Sequence, residues 1–182
     1  MPDPGRLVDL FHHRWTVPTI AELHRTGGAK LVTLVNRLGV SRGALRQTLD
    51  ATIRHGWIMP NPGYGHPLRP EYLLTESGER IGLTCWELVD MLGKRGLEVV
   101  MLRKWSAPVL QAVAFGCRRF AEIKTALPDL TDRALAIALK QLLAHKLLDR
   151  QLRDEFPPAA EWKPVHRSRP LVEILKRLTE FR

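Results

Sequence analysis

Apolar residues recur along this chain at helical spacing in three successive stretches, and the whole succession then returns. Ile20 and Leu23 follow Trp15 with Glu22 and Arg25 between them, and Pro18 fits a helix only in its first turn, so a helix is predicted to start near Trp15. Gly27-Gly28 stops it. Leu31, Leu34, Val35 and Leu38 predict a second, shorter helix. Gly39-Val40-Ser41 is then a turn, in which Ser41 can accept hydrogen bonds from the first free amides of the next helix. That third helix carries Leu45, Leu49 and Ile53 on one stripe, and Gly56 ends it.

The period then changes. Trp57-Ile58-Met59 reads as a short strand, Pro60 to Pro70 as a proline- and glycine-rich connection, and Glu71-Tyr72-Leu73-Leu74-Thr75 as the return strand. Thr75 is a candidate cap for a further helix, and residues 79–92 are compatible with its continuation. Gly93-Lys94-Arg95-Gly96 reads as a boundary.

Trp105 stands 90 residues after Trp15, and the pattern resumes in register. Arg14-Trp15-Thr16-Val17-Pro18 is answered by Lys104-Trp105-Ser106-Ala107-Pro108, Ser41-Arg42-Gly43-Ala44-Leu45 by Thr131-Asp132-Arg133-Ala134-Leu135, and Glu71-Tyr72 by Glu161-Trp162. Trp105 to Ala114 predicts the first helix of this copy and Phe120, Ile123 and Leu127 the second. Thr131 is the cap of a third helix bearing Leu135, Leu139, Leu142 and Leu143. Leu147 to Arg150 and Glu161 to Lys163 predict the hairpin, with Asp154 to Ala160 at its tip; Leu171, Ile174, Leu175 and Leu178 predict a closing amphipathic helix. Three helices followed by a hairpin is the grammar of a helix-turn-helix with a wing. The predicted fold class is mainly α with small β-hairpin wings (α+β): two tandem winged helix-turn-helix domains, residues 1–93 and 94–182, arranged as a pseudo-dimer.

Composition narrows the picture. With 45% hydrophobic and 26% charged residues, the chain can bury an ordinary globular core in each half. No apolar run approaches the ~20 residues of a membrane span, and the amino terminus, with Asp3, Pro4 and Asp9, does not resemble a secretion signal. The expected location is therefore cytoplasmic, with no membrane partner. The formal charge of +9 is uneven: residues 1–93 hold 10 Lys/Arg against 9 Asp/Glu, and residues 94–182 hold 18 against 10. A basic chain of this kind points to a polyanionic partner, nucleic acid being the commonest. Cys85 and Cys117 form no close-spaced metal or redox motif and read as small half-buried thiols, although Arg118 and Arg119 beside Cys117 leave a thiol switch open.

A family resemblance rests on several stretches. Lys104-Trp105, the run from Gly116-Cys117-Arg118-Arg119-Phe120-Ala121-Glu122-Ile123 through Leu127-Pro128, and Thr131-Asp132-Arg133-Ala134-Leu135 resemble the core of HxlR-type winged-helix regulators. Gly39-Val40-Ser41-Arg42-Gly43-Ala44-Leu45 and Tyr72-Leu73-Leu74-Thr75-Glu76-Ser77-Gly78 resemble the same family's turn, return strand and final helix. The resemblance implies a bacterial or archaeal transcription regulator that associates through terminal helices. This chain departs from it by holding two copies and by lacking, after Trp162, a counterpart of Gly78. Its last helix is accordingly expected to start later.

In a helix-turn-helix the first turns of the front helix face base edges. Arg42 and Arg46 lie one turn apart on the predicted exposed face, beside Gln47 and behind the cap Ser41. Arginine can take both acceptors of a guanine and glutamine can bridge an adenine. The second copy offers Thr131, Arg133 and Lys140, but Asp132 stands where Arg42 stands in the first. Arg118 and Arg119 at the second helix's start, and Arg69 in the first wing, suit phosphate contacts. The expectation is a sequence-specific regulator of double-stranded DNA whose first copy reads and whose second copy largely clamps. The competing reading is a tandem winged-helix scaffold that binds proteins. No phosphate-cradling loop, HExxH or serine-elbow motif suggests an enzyme, and no cofactor is expected. His12-His13 reads as a surface pair and the two tryptophans, Trp15 and Trp105, as core anchors.

Overall fold

The computed structural model describes residues 4–63, 71–153 and 159–180. In chain order these form helix α1 (Pro4–Leu10), α2 (Thr16–Thr26), strand β1 (Ala29–Lys30), α3 (Leu31–Leu38), α4 (Arg42–Arg54), β2 (Ile58–Pro60), β3 (Glu71–Leu74) and α5 (Glu76–Arg95). There follow α6 (Glu98–Met101), α7 (Ser106–Ala114), α8 (Phe120–Ala126), α9 (Asp132–Ala144), β4 (Leu148–Arg153), β5 (Ala159–Pro164), a 3-10 turn (His166–Ser168) and α10 (Arg169–Glu180). The chain is mainly helical with small β-hairpins. No helix among the described residues is long and apolar enough to cross a membrane. It divides into two compact units, one of His13–Met91 and one of Met1–His12 with Leu92–Glu180.

In the unit His13–Met91, Val17, Ile20, Leu23, Leu34, Leu45 and Leu49 place one buried stripe each from α2, α3 and α4 into a common core. Gly39 closes α3 in the left-handed region (φ 62°), a conformation open to glycine at little cost, so the chain turns sharply into α4. Strand β3 pairs antiparallel with both β1 (Ala29 opposite Tyr72) and β2 (Ile58 opposite Leu74). The two-residue β1 had no signal in the sequence; it is too short for a period. Glu22 ties α2 to α3, receiving Arg25 (2.9 Å) and Arg37 (2.6 Å). The hydrogen bond from Arg25, with that from Arg37 and their charges, outweighs burial and holds the Glu22 carboxyl below its ordinary range.

The unit Met1–His12 with Leu92–Glu180 repeats the order of elements. Val109, Leu110 and Val113 on α7, Leu135, Leu139 and Leu142 on α9, and Leu171, Leu175 and Leu178 on α10 are buried. Buried Gln111 donates to Leu175 O and Thr179 Oγ1 (both 3.4 Å), joining α7 to α10 without an orphaned amide. The hairpin β4–β5 pairs from Leu148 opposite Pro164 to Arg153 opposite Ala159. Where the other unit has β1, a single bond from Trp162 N to Arg118 O (2.8 Å) holds β5.

The chain passes from one unit to the other between Met91 and Leu92, two residues before the expected 93/94 boundary, and the difference from the expected 1–93 and 94–182 lies at the amino terminus. Residues 4–10 form a helix, and α1 packs on α7 and α10 because Leu7 and Leu10 are wholly buried. The amino-terminal segment thus belongs with the second unit. Gly93-Lys94-Arg95 does not interrupt the helix: α5 runs through it and stops at Gly96, since one flexible residue inside a strong helical pattern costs less than ending the helix. The later start of the last helix is observed, with a 3-10 turn standing between β5 and α10.

Trp15 and Trp105 are not the core anchors that their spacing suggested. Both are half-buried, occupy the N-cap of α2 and α7 in nearly the same backbone conformation, and carry the preceding cation over the ring, Arg14 at 5.4 Å and Lys104 at 4.9 Å. Each cation–π pair shields one edge of its unit.

Two outcomes follow. A β-carbon on Gly78 would stand 2.0 Å from Trp57 O, a carbonyl fixed by Thr75 N. Gly78→Ala should therefore destabilise the fold by about 1–3 kcal/mol or more, whereas Gly43→Ala, with open space around it, should be neutral or stabilising by up to about 1 kcal/mol; denaturant midpoints decide. Because folding lowers the pKa of Glu22, its contribution is present above the ordinary carboxylate range and is lost as pH falls through the folded value. The stability gap between wild type and Glu22→Gln should close in acid, below about pH 4.

Candidate nucleic-acid interface

The turn before α4 sets the rotation of that helix. Ser41 Oγ accepts from Ala44 N (3.3 Å), the side-chain cap that its position predicted. Leu45, Thr48, Leu49 and Thr52 form the buried back of the helix. The two threonines satisfy their hydroxyls within the helix, Thr48 to Ala44 O (3.0 Å) and Thr52 to Thr48 O (2.9 Å). With the back fixed, Arg42, Arg46, Gln47 and Asp50 stand exposed on the front. Ser41, Arg42, Arg46 and Gln47 are thus brought together, as expected. Tyr72 on β3 joins them and had not been foreseen. Burial raises its pKa, the Asp50 charge adds to that rise and the Arg46 charge opposes it. Its signal was positional, since Tyr72 occupies the place that Trp162 occupies in the second copy. Arg69 lies outside the described residues.

The corresponding surface of the other unit is built alike and decorated differently. Thr131 Oγ1 accepts from Ala134 N (3.2 Å), again a cap, and Leu135, Ala138, Leu139 and Leu142 are buried behind it. The front shows Asp132, Arg133, Ala136, Ile137 and Lys140. Asp132 is not the bare repulsive acid that its position suggested. Lys124 on α8 reaches its carboxylate at 3.1 Å and also donates to Leu130 O. That pair neutralises the acid locally and braces the turn. Arg133 and Lys140, two turns apart, share the front face.

Arg118 and Arg119 are exposed just ahead of α8. Their backbone amides donate to Glu122 (2.6 and 3.0 Å), and these bonds, together with the two guanidinium charges, hold the Glu122 carboxyl below its ordinary range. On the hairpin, the Arg150 guanidinium lies 5.8 Å over the Trp162 ring, which orients a cation at the strand's exposed side.

The thiols offer no activated nucleophile. Cys85 is buried and its pKa is driven far up by desolvation; burial first and the Glu122 charge second raise that of Cys117. The neighbouring arginines were expected to favour a thiolate at Cys117, but Glu122, gathered in by their amides, stands closer in effect.

A turn between two helices, a capped third helix with a polar front, and a hairpin behind define a helix-turn-helix protein. Comparison with known proteins agrees. The HxlR-like helix-turn-helix family matches residues 100–182. An uncharacterized HTH-type transcriptional regulator of Synechocystis is 33% identical over 91 residues, spanning 50% of this chain and 67% of that protein. Another, from Methanothermobacter thermautotrophicus, is 32% identical over 78 residues, spanning 43% of this chain and 60% of its own length. The match thus covers about three-fifths to two-thirds of these relatives. The solved structure of the redox regulator HypR in its oxidized form shares 24% identity, covers 52% of this chain and 91% of its own, and aligns with a TM-score of 0.44. The chain belongs to the HTH-type transcriptional regulators, with an HxlR-like helix-turn-helix over residues 100–182.

With both thiol pKa values raised, Cys117 should alkylate at pH 7 more slowly than a free cysteine, and Cys85 only on unfolding. Timed labelling with iodoacetamide, with and without denaturant, reads both.

Proposed function

We propose that the chain is a sequence-specific regulator of double-stranded DNA that uses two tandem winged helix-turn-helix modules, each placing its third helix in the major groove. The observation that carries this reading is the front of α4. A Ser41 cap and a buried back hold Arg42, Arg46 and Gln47 outward together, the side-chain set suited to guanine and adenine edges. The equivalent capped helix α9, with Arg133 and Lys140 in front, supports a second approach to the duplex. Arg118, Arg119, Arg150 and, from the sequence alone, Arg69 supply cations for phosphates, contacts that orient rather than specify. The positive charge, concentrated in residues 94–182, supports the approach of that unit to a polyanion.

Self-association through terminal helices accompanies this proposal as what the family implies, and a cytoplasmic location as what a DNA-binding role would require. One observation favours the competing scaffold reading: Leu83 and Trp86 are exposed one turn apart on α5, an apolar pair that DNA binding leaves unused.

Selection of bound duplexes from a random pool tests the proposal. Enriched duplexes should bind with an affinity that falls by about a thousandfold between about 50 and about 200 mM salt if some six phosphates are engaged. Alanine at both Arg42 and Arg46 should remove preference at the bases those side chains face, each lost bidentate contact costing about 1–3 kcal/mol, while the thermal midpoint is unchanged. A selected sequence that is identical with and without the double substitution overturns α4 as the reading helix, and binding indifferent to salt favours the scaffold.

A further inference from the structure

The two reading helices can be superposed residue for residue on their own burial. Ser41 and Thr131 cap the third following amide, Ala44 and Ala134. Leu45, Thr48, Leu49 and Thr52 are buried on α4, and Leu135, Ala138, Leu139 and Leu142 are buried at the same steps on α9. The fronts therefore correspond as well. Arg46 and Gln47 on α4 answer to Ala136 and Ile137 on α9, and Asp50 answers to Lys140. At the two positions where α4 carries donors and acceptors, α9 carries only aliphatic carbon.

Ile137 is 46% exposed, although it sits in the middle of a rigid helix whose other apolar stripe is buried. The small Ala136 beside it leaves that exposed surface low and smooth. Arg133 lies one turn before this pair and Lys140 one turn after, so the aliphatic step is bracketed by cations along the same face. Lys124 occupies the nearest acid, Asp132, at 3.1 Å. A cation-bracketed aliphatic step complements a major groove edge, where phosphates flank the bases and the thymine C5 methyl is the apolar group presented.

We propose that α9 is a reading helix rather than a clamp, and that Ala136 and Ile137 select thymine by packing on its C5 methyl group. This rests on the DNA-binding reading above and assigns the second unit its own base preference. The choice of residue types has a physical basis. Isoleucine in a helix holds one strongly preferred rotamer, so little side-chain freedom remains to be lost on contact. Cytosine at the same place would lack the methyl. The helix thus favours thymine by an apolar contact that cytosine does not offer. On α4, by contrast, Arg42, Arg46 and Gln47 select by hydrogen bonds.

The test uses the full chain and the duplex selected above, with thymines replaced singly by 2′-deoxyuridine. That exchange removes the methyl and leaves every hydrogen-bonding group in place. At one or two positions it should weaken binding about fourfold, the worth of one buried methyl-sized group. Ile137→Ser, at an exposed position that does not build the core, should abolish this penalty, whereas Arg46→Ala should leave it intact while lowering affinity. No penalty at any thymine, or a penalty that persists in Ile137→Ser, overturns the proposal while dependence on Arg46 keeps DNA reading in place. If binding responds to neither Arg42 and Arg46 nor Arg133 and Lys140, the underlying reading fails with it. If Ile137→Ser instead dissociates a self-associated form in sedimentation and deoxyuridine is without effect, the face is an interface between copies, and the proposal is again overturned.

Discussion

The rotation of α4 about its own axis is the constraint from which the rest of this interface follows. It is fixed twice, at the start by Ser41 capping Ala44 N and along the length by the burial of Leu45 and Leu49. Thr48 and Thr52 matter here because a buried hydroxyl without a partner would strain the same face; each bonds back to a carbonyl of its own helix instead. A helix turned by one residue would bury an arginine and expose a leucine. The front face is thus specified by the back, and the chemistry of Arg42, Arg46 and Gln47 is available without further support.

Charges in the second unit are organised by pairs that reach across turns. Lys124 takes up Asp132 and the Leu130 carbonyl, and Glu122 collects the amides of Arg118 and Arg119. Both arrangements use one residue of α8 to finish the segment next to it. Their effect on chemistry is opposite in sign: the first removes a negative charge from the front of α9, and the second brings one towards Cys117, where it adds to burial in raising the thiol pKa. Reading charges by position along the chain reverses both conclusions.

That contrast shows how far the sequence carries. The helices, both caps, the hairpins and the delayed final helix are legible because each depends on local periodicity or on one residue with a short reach. Strand β1 is not, since two residues carry no period and its pairing with β3 bridges more than forty residues. Helix α1 is short, and its place beside α7 and α10 depends on residues more than a hundred positions away. Tryptophan looks like core by composition, yet at Trp15 and Trp105 a preceding cation covers the ring at the surface. At the interface, the arginines were visible and their partners were not: Tyr72 within the field of Arg46, Lys124 on Asp132 and Trp162 under Arg150 are all brought in by tertiary structure.

The helices α4 and α9 hold the same place in the order of elements, yet they are encoded separately. In an assembly of identical subunits, one substitution changes every copy of the face at once, and the preferred target stays symmetric. On the proposed function, a change at Gln47 leaves Ile137 untouched, so each face can drift towards its own bases. A target read by two unlike faces has a head and a tail, and a chain seated on it gains a direction along the duplex.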